Sequence, residues 1–260
     1  MCPESCRETQ TRRDIVEVCR RVYSRGWLAA TDGNASVLLP NGYVLTTPAG
    51  IHKGYMNEHD LVVIDRAGKT IDGNKPPSSE IAAHLAAYEE RGDIRSVLHA
   101  HPTNCIALSL ADVRLDQCLL PEVVIAFGSI PTAAYATPGS HEVAVEMRKW
   151  VRNFDAVILE RHGSITVGAN IYDAYNKLER LEHVAEITFR ARLLSCHPGY
   201  LRTLTCEQLS SLQSARREAG LPERTLLGSP CDTYAGDTSA PDDDNVEETV
   251  HRVRKMLSIF

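Results

Sequence analysis

The chain has 260 residues, of which 43% are hydrophobic and 24% are charged, and its formal net charge is −6. This length can bury a full core, and the composition is ordinary for a globular protein. The acidic balance argues against nucleic acid as the main partner, and no apolar run approaches the ~20 residues that span a membrane. The N-terminus lacks the apolar core of a signal peptide, so we expect a cytoplasmic protein whose eight cysteines are reduced thiols.

Hydrophobic periodicity predicts helices and short strands along most of the chain. Helices are predicted at 11–25, 81–91, 105–110, 141–151 and 171–194. Strands are predicted at 35–39, 43–46, 61–64, 97–98, 123–125, 155–159 and 165–167. The turn Asn41-Gly42 favours a hairpin between the first two strands. Short strands with helices between them predict an α/β domain in which a mixed sheet is flanked by helices.

The C-terminal part of the chain differs in composition. Residues 228–245 are mostly small, polar, Pro or Asp, which predicts a flexible linker. Beyond them, apolar residues return at helical spacing and predict a short amphipathic helix over 246–260. The predicted organisation is therefore a main domain over 1–227, a linker over 228–245 and a tethered helix over 246–260.

Three histidines stand at the ends of apolar runs. His99 and His101 follow one run and would lie on the same face of a strand, because side chains alternate along it. His162 follows a second run, and Glu80 is a candidate carboxylate. Three imidazoles with an optional carboxylate match a catalytic zinc, which keeps one coordination position open. A polar strand end is the alternative for the His99 and His101 pair alone. The other histidines, among them His84, are expected at surface or capping positions.

A second group of residues predicts an anion site. The segments 31–36, 46–50 and 78–79 are turns or a helix start rich in Gly, Asn, Ser and Thr. Backbone amides and small hydroxyls at such positions bind phosphate without a lysine. Each segment alone is an ordinary turn or cap, but Glu80 follows Ser79 directly, so together they predict a phosphate near the metal. Lys53 is either a further phosphate contact or a solvated lysine.

The sequence resembles the class II aldolase/adducin family through six motifs in order. They are GN-x-S, T-P-x-G, P-S-S-E, H-x-H-P, Y-A-T-x-G and x-H-G, beginning at residues 33, 47, 77, 99, 135 and 161. The resemblance covers roughly 11–219 and is strongest to the L-fuculose-1-phosphate aldolase branch. It implies that 1–227 is a catalytic domain with a largely antiparallel sheet. It also implies a zinc-dependent homotetramer with active sites at the subunit interfaces.

The family pattern assigns roles to residues of this sequence. The implied zinc ligands are His99, His101 and His162, with Glu80 as fourth ligand in the resting site and as the acid/base during turnover. The implied phosphate cradle consists of Gly33, Asn34, Gly50, Ser78 and Ser79. The implied reaction cleaves a deoxy-ketose 1-phosphate of the L-fuculose or L-rhamnulose type. Its products are dihydroxyacetone phosphate and an aldehyde such as lactaldehyde.

This sequence departs from the family pattern in two places. Ala49 replaces a hydroxyl residue found in many members, and the segment 120–124 lacks the tyrosine that exchanges a proton in the fuculose branch. Glu122 or Tyr135 could take over that role, the alternatives being a buried structural Glu and a Tyr at the edge of the core. Other reactions of the family therefore stay open, namely sugar-phosphate 4-epimerisation, methylthioribulose-1-phosphate dehydration and decarboxylation of a phosphorylated sugar acid. A non-catalytic adducin-like scaffold is the non-enzymatic alternative.

The predicted C-terminal helix suggests a second role. The segment 246–260 resembles the encapsulation peptides that direct enzymes into bacterial microcompartments by docking on shell or cargo proteins. The alternative is a helix that packs on its own tetramer. The expected location is therefore the cytoplasm, with the interior of a microcompartment as a more specific alternative.

Overall fold

In the computed structural model, residues 4–195, 201–221 and 223–233 are described. The helices are α1 (Glu4–Ser24), α2 (Ile81–Glu90), α3 (Thr103–Leu110), α4 (Pro121–Ala126), α5 (His141–Val151), α6 (Ile171–Leu194) and α7 (Cys206–Glu218). The strands are β1 (Asn34–Leu38), β2 (Val44–Thr46), β3 (Val62–Ile64), β4 (Thr70–Asp72), β5 (Ser96–Ala100), β6 (Thr132–Ala133), β7 (Ala156–Leu159) and β8 (Gly163–Gly168). Among the described helices, none is both long and apolar enough to cross a membrane.

The strands form one mixed sheet in the order β4-β3-β2-β1-β5-β8-β7-β6. Every neighbouring pair is antiparallel except β6 and β7, which are parallel. β5 lies between β1 and β8, and its residue His99 stands opposite Asn34 on one side and Ile165 on the other. The predicted mixed and largely antiparallel sheet is confirmed, and its central strand carries the first candidate metal ligand.

Helices cover both faces of the sheet because its strands bury alternate side chains on both sides. α1 and α6 pack on one face in a cluster that includes Leu98, whereas α2 and α5 pack on the other in a cluster that includes Val97. His99 therefore shares the face of Val97, on which α2 begins. The result is a single domain of helices around a sheet, as the sequence predicts.

The predicted strand at 123–125 is wrong, because these residues lie in helix α4. Periodicity cannot distinguish a short apolar run in a strand from one in a buried helix. Pro121 occupies the start of α4, where its fixed φ favours a helix and its missing N–H costs nothing. Val123 and Val124 are buried, as a strand would also have buried them. The sequence thus correctly predicts that these valines are buried, but it does not predict that the backbone is helical.

Three elements have no counterpart among the predictions. β4 is a mostly exposed edge strand, and β6 has only 2 residues. α7 buries only Leu209 and Arg216 among its described side chains, so its apolar periodicity is weak. These elements contribute little burial, and for that reason they leave little hydrophobic signal.

The expectation that all cysteines are reduced is wrong for one pair. Cys206 at the start of α7 forms a disulfide with Cys231, in a short 3-10 helix over Pro230–Thr233. Ser229 beside it is buried, and the disulfide attaches Cys231 to α7, so the predicted linker is joined to the domain at these two residues. The rest of the predicted linker and the predicted helix over 246–260 lie outside the described residues.

Candidate metal centre

Three imidazoles converge at one end of the central strands. His99 lies near the end of β5, His101 follows that strand, and His162 lies in the turn between β7 and β8. The candidate ligand atoms of the three residues all lie within 4.8 Å of one another. The Nε2 atoms of His99 and His101 are 3.1 Å apart. The strands therefore bring together the three predicted ligands, although His162 comes 61 positions after His101 in the chain.

Two of these rings have a polar partner on the side away from the other histidines. Nδ1 of His99 donates to the Ser164 carbonyl at 2.9 Å, which turns Nε2 of the ring toward the other two histidines. Nδ1 of His101 lies 3.5 Å from a carboxylate oxygen of Asp32. Burial, reinforced by His99 and His162, lowers the pKa of His101 to about 4, which keeps its ring neutral near pH 7. A neutral ring with a fixed tautomer is the form that binds metal.

Glu80 completes the group from the opposite side. It stands at the N-terminus of α2, with its two carboxylate oxygens 3.0 Å from Nε2 of His99 and 3.2 Å from Nε2 of His162. Asn34 donates its side-chain amide to the same carboxylate at 3.2 Å. Burial would raise the pKa of Glu80, but the hydrogen bonds from His162 and His99 outweigh it and lower the pKa, so the carboxylate is ionised.

The donor set fits a divalent cation. Nε2 of His99 lies 3.0 Å from a Glu80 oxygen and 3.1 Å from Nε2 of His101, and the other Glu80 oxygen lies 3.2 Å from Nε2 of His162. A proton on Nε2 of His99 can serve only one of its two neighbours, whereas a divalent cation can bind all of these atoms together. Three imidazoles and one carboxylate are the ligand types that zinc takes in proteins. His99, His101, His162 and Glu80 could therefore hold such an ion.

Two glycines make room for the imidazoles. A Cβ at Gly163 would lie 2.5 Å from the Ala100 carbonyl and 2.8 Å from the His101 ring. A Cβ at Gly33 would lie 2.8 Å from the His99 carbonyl, and the φ of Gly33 is +67°. Any larger residue at either position would push against the backbone or ring that positions a ligand.

The three segments predicted to bind phosphate are connected to one another. Thr47 accepts a hydrogen bond from the backbone of Ala35 at 3.2 Å, which joins the first segment to the second. Ser78 donates its backbone N–H to the Thr47 carbonyl at 3.3 Å, which joins the third. Asn34 is 2% exposed, and its side-chain oxygen has no hydrogen-bond partner among the described residues. A buried acceptor of this kind indicates a missing donor, such as a bound ligand.

The remaining predicted phosphate residues border the same segments. Gly50 follows the Pro48–Pro77 bridge and has a φ of +68°, and Ser79 is exposed at the start of α2. The sequence predicts that Lys53 is either a phosphate contact or a solvated lysine. It is buried, since only 2% of its surface is accessible. The solvated alternative is therefore wrong.

The two candidates to replace the family tyrosine, Glu122 and Tyr135, are both exposed. Glu122 is exposed in the first turn of α4, so it is not a buried structural residue. Tyr135 is 58% exposed, and its backbone N–H donates to the side chain of Glu160 at 3.1 Å. Glu160 comes two residues before His162, which places the Tyr135 backbone beside the turn that carries a candidate ligand.

Sequence reasoning missed three supporting groups. The Ser164 carbonyl leaves no signal in a sequence, because every residue has one. Asp32 could have been found, since a carboxylate next to the Gly33-Asn34 turn is a natural partner for a histidine ligand. His84, expected at the surface, is fully buried, with Nδ1 2.7 Å from the Ser36 hydroxyl.

Comparisons with known proteins agree with this geometry. The sequence profile described as "Class II Aldolase and Adducin N-terminal domain" matches residues 13–189. An L-fuculose phosphate aldolase of Methanococcus maripaludis is 32% identical over 176 residues, which cover 68% of this chain and 94% of the relative. A 3-oxo-tetronate 4-phosphate decarboxylase of Escherichia coli K12 is 30% identical over 211 residues, which cover 80% of this chain and 97% of the relative. A solved L-fuculose 1-phosphate aldolase superposes with a TM-score of 0.71 at 28% identity, covering 80% of this chain and 96% of that structure.

Proposed function

The chain belongs to the class II aldolase and adducin family and is a lyase, and we propose that it releases dihydroxyacetone phosphate from a phosphorylated keto sugar. The leading substrate class is a deoxy-ketose 1-phosphate of the L-fuculose or L-rhamnulose type, with an aldehyde such as lactaldehyde as the second product. The observation that carries the proposal is the convergence of His99, His101, His162 and Glu80 beside the three predicted phosphate segments.

The proposed cofactor is zinc, held by His99, His101 and His162, with Glu80 as fourth ligand. When bound, the ion supplies Lewis-acid stabilisation of the negative charge that develops on the ketone oxygen as the C–C bond breaks. This chemistry makes a Schiff-base lysine unnecessary. The hydrogen bond from Nδ1 of His99, which turns Nε2 toward the cluster, and the neutral ring of His101 support this assignment.

Glu80 is the proposed acid/base for the carbon that becomes carbanionic. Its carboxylate is ionised, half-buried and steadied by the Asn34 amide, so it can take a proton from the three-carbon fragment and return it. The backbone amides of Gly33 and Gly50 and the hydroxyls of Ser78 and Ser79 would hold the phosphate. This arrangement orients the ketone between the phosphate and the acid/base.

Breaking a C–C bond to an aldehyde also requires a group that exchanges a proton with the hydroxyl on the leaving side. Tyr135 is our first candidate, because its backbone is hydrogen-bonded to Glu160, two residues before His162. Glu122 is the second candidate. It is exposed, but none of the hydrogen bonds among the described residues ties it to the turn of His162.

Decarboxylation of a 3-oxo-tetronate 4-phosphate is the second candidate function. Loss of CO2 from that compound and cleavage of a ketose 1-phosphate leave the same enediolate. In both substrates, the bond that breaks is on one carbon next to the ketone, and the phosphate is on the carbon at the other side of the ketone. Decarboxylation needs no proton exchange on the leaving side, which suits the absence of tyrosine in 120–124. The decarboxylase relative also aligns with 80% of this chain.

A substrate panel tests the proposal. The zinc-loaded protein is incubated with ketose 1-phosphates and with 3-oxo-tetronate 4-phosphate, and dihydroxyacetone phosphate is measured with and without chelator. The leading function predicts triose phosphate and an aldehyde from a ketose 1-phosphate, lost with chelator and restored by zinc. Release of CO2 with triose phosphate only from the sugar acid would establish the decarboxylase instead. If no compound releases a triose phosphate, the proposal fails.

We further propose a homotetramer, with the segment 246–260 docking on microcompartment shell or cargo proteins. Leu193 and Leu194 at the end of α6 are 70% and 85% exposed, which supports self-association through this helix. A truncation after Thr233 keeps the Cys206–Cys231 disulfide and separates the roles. The truncated protein should form the same oligomer with the same activity and no longer co-purify with shells. A lost oligomer would contradict targeting.

A further inference from the structure

Lys53 is among the largest fully buried side chains of the described chain, and only 2% of it is accessible. A buried ammonium group is costly unless its hydrogen bonds are satisfied and its charge is used. From the contacts described below, we infer that Lys53 is a positioning residue for phosphate: its ammonium group ties two phosphate segments together and supplies their positive charge. This inference rests on the proposed function, since it concerns the phosphate end of the same site.

The hydrogen bonds of Lys53 join the two segments. Its Nζ donates to the Thr31 carbonyl at 2.8 Å and to the Ile51 carbonyl at 2.8 Å. Thr31 is two residues from Gly33, and Ile51 is next to Gly50. One ammonium group therefore fixes the distance between the two backbone turns that would donate N–H groups to the phosphate. An ammonium group has three donors, and these carbonyls accept two of them.

The charge of Lys53 has no substitute within these segments. Residues 31–36, 46–50 and 78–79 contain no lysine or arginine. The charged side chains in or directly next to these segments are Asp32 and Glu80, and both are carboxylic acids. A phosphate bound among these groups would be repelled by both carboxylates. Lys53 is buried, so little water screens the attraction between its charge and a bound phosphate.

The groups around Lys53 agree with a charged side chain. Burial lowers the pKa of Lys53, whereas the neighbouring Cys19, Asp32 and Glu80 raise it. Both of its hydrogen-bond partners are carbonyl oxygens, which accept protons and never donate them. A lysine held only for packing would not need two carbonyl acceptors at 2.8 Å.

Variants separate this role from a merely structural one. We compare Lys53→Met and Lys53→Arg with Lys69→Met, which changes an exposed lysine of the β3–β4 turn. Binding of inorganic phosphate to each zinc-loaded protein is measured by calorimetry, together with zinc content, KM and kcat. Lys53→Met should raise the phosphate Kd and the KM by about tenfold or more, with zinc content unchanged and kcat much less affected. Lys53→Arg should recover part of the loss, and Lys69→Met should match the wild type.

A second measurement needs no variant. Lysine acylation of the zinc-loaded wild-type protein is followed by mass spectrometry with and without inorganic phosphate. Lys53 becomes accessible only when the two turns separate, so phosphate at ten times its Kd should slow its acylation about tenfold and leave Lys69 unaffected. Phosphate that binds the wild type and Lys53→Met equally, or that leaves Lys53 acylation unchanged, overturns the inference. If the wild type binds no phosphate at all, the proposed function fails at its phosphate site instead.

Discussion

The strand-end site and the segment 121–135 are built in opposite ways. At the strand end, antiparallel pairing of β1, β5 and β8 and the start of α2 bring His99, Glu80 and Asn34 into mutual contact. The segment 121–135 instead presents Glu122 and Tyr135 at the surface of the chain. The first region can be assembled by one chain, because its parts are held by the core. In the second region, the two side chains are exposed and free to contact a substrate or another subunit.

This difference separates two kinds of functional residue. A ligand or acid/base at the strand end is fixed by buried hydrogen bonds, so its loss should remove metal or chemistry outright. A residue at the surface contributes only when substrate or another subunit covers it. Its loss should affect one step and spare the rest.

The largest effect is expected for His99→Ala. Removing a central ligand should reduce bound zinc and lower kcat/KM by at least about 1,000-fold, because stabilisation of the developing charge is lost. Metal analysis and kinetics on the same sample check this. His59→Ala, which changes an exposed histidine, is the matched control and should retain both properties. A His99→Ala protein with full zinc and near-normal activity would show that the cluster is not the centre.

Glu80→Gln should separate binding from chemistry. The amide keeps the shape but cannot exchange protons, so kcat should fall by about 100- to 10,000-fold while zinc stays bound. Kinetics with metal analysis measure both quantities. Loss of zinc from this variant would make Glu80 an indispensable ligand, and unchanged kcat would remove it as the acid/base.

A smaller and more selective effect is expected at the surface region. Tyr135→Phe should lower kcat for cleavage of a ketose 1-phosphate about tenfold and leave decarboxylation unaffected, because only the former exchanges a proton on the leaving side. Glu122→Gln is the companion variant and should retain full activity in both assays. If Glu122→Gln loses the cleavage activity and Tyr135→Phe keeps it, the assignment between them is reversed.

The smallest effect is expected on the pH dependence of the unfolding free energy, through the buried His84. Burial, with His99 as a second cause, lowers the pKa of His84 from 6.5 to about 3. The unfolded chain therefore binds one more proton than the folded chain between these values, so stability is full above pH 6.5 and falls as pH drops toward 3. His84→Gln keeps a polar group and removes this titration.

Its unfolding free energy, measured with denaturant in chelator, should change less steeply with pH in that window, by at most about 1.4 kcal/mol per pH unit. The chelator prevents metal release from contributing to the slope. Identical slopes for wild type and variant would mean that His84 is not held neutral by burial.

The sequence predicts the strand-end site well because its residues obey short-range rules. His99 and His101 share a face by strand alternation, and Glu80 follows a Ser-rich helix start. His162 is found because it follows a second apolar run, but its contact with His101 depends on pairing across the sheet. The burial of Lys53 could not be predicted, because it depends on where the Thr31 and Ile51 carbonyls point.

The segment 121–135 illustrates the opposite case. Val123, Val124 and Ile125 fit a strand or a buried helix equally well, and Pro121 decides the outcome only in combination with the surrounding core. The pairing of Cys206 with Cys231 is equally hidden, since it requires a short helix near residue 231 to pack against α7. Prediction succeeds where local pattern specifies a contact and fails where tertiary packing does.

Both candidate reactions pass through the enediolate of dihydroxyacetone phosphate, so one measurement tests the central claim without knowledge of the sugar. The zinc-loaded protein is incubated with dihydroxyacetone phosphate in deuterium oxide, and exchange at the hydroxymethyl carbon is followed by NMR. The account predicts incorporation of a single deuterium, abolished by chelator and by Glu80→Gln purified in parallel, and retained in Tyr135→Phe. Binding of dihydroxyacetone phosphate without any exchange would contradict it.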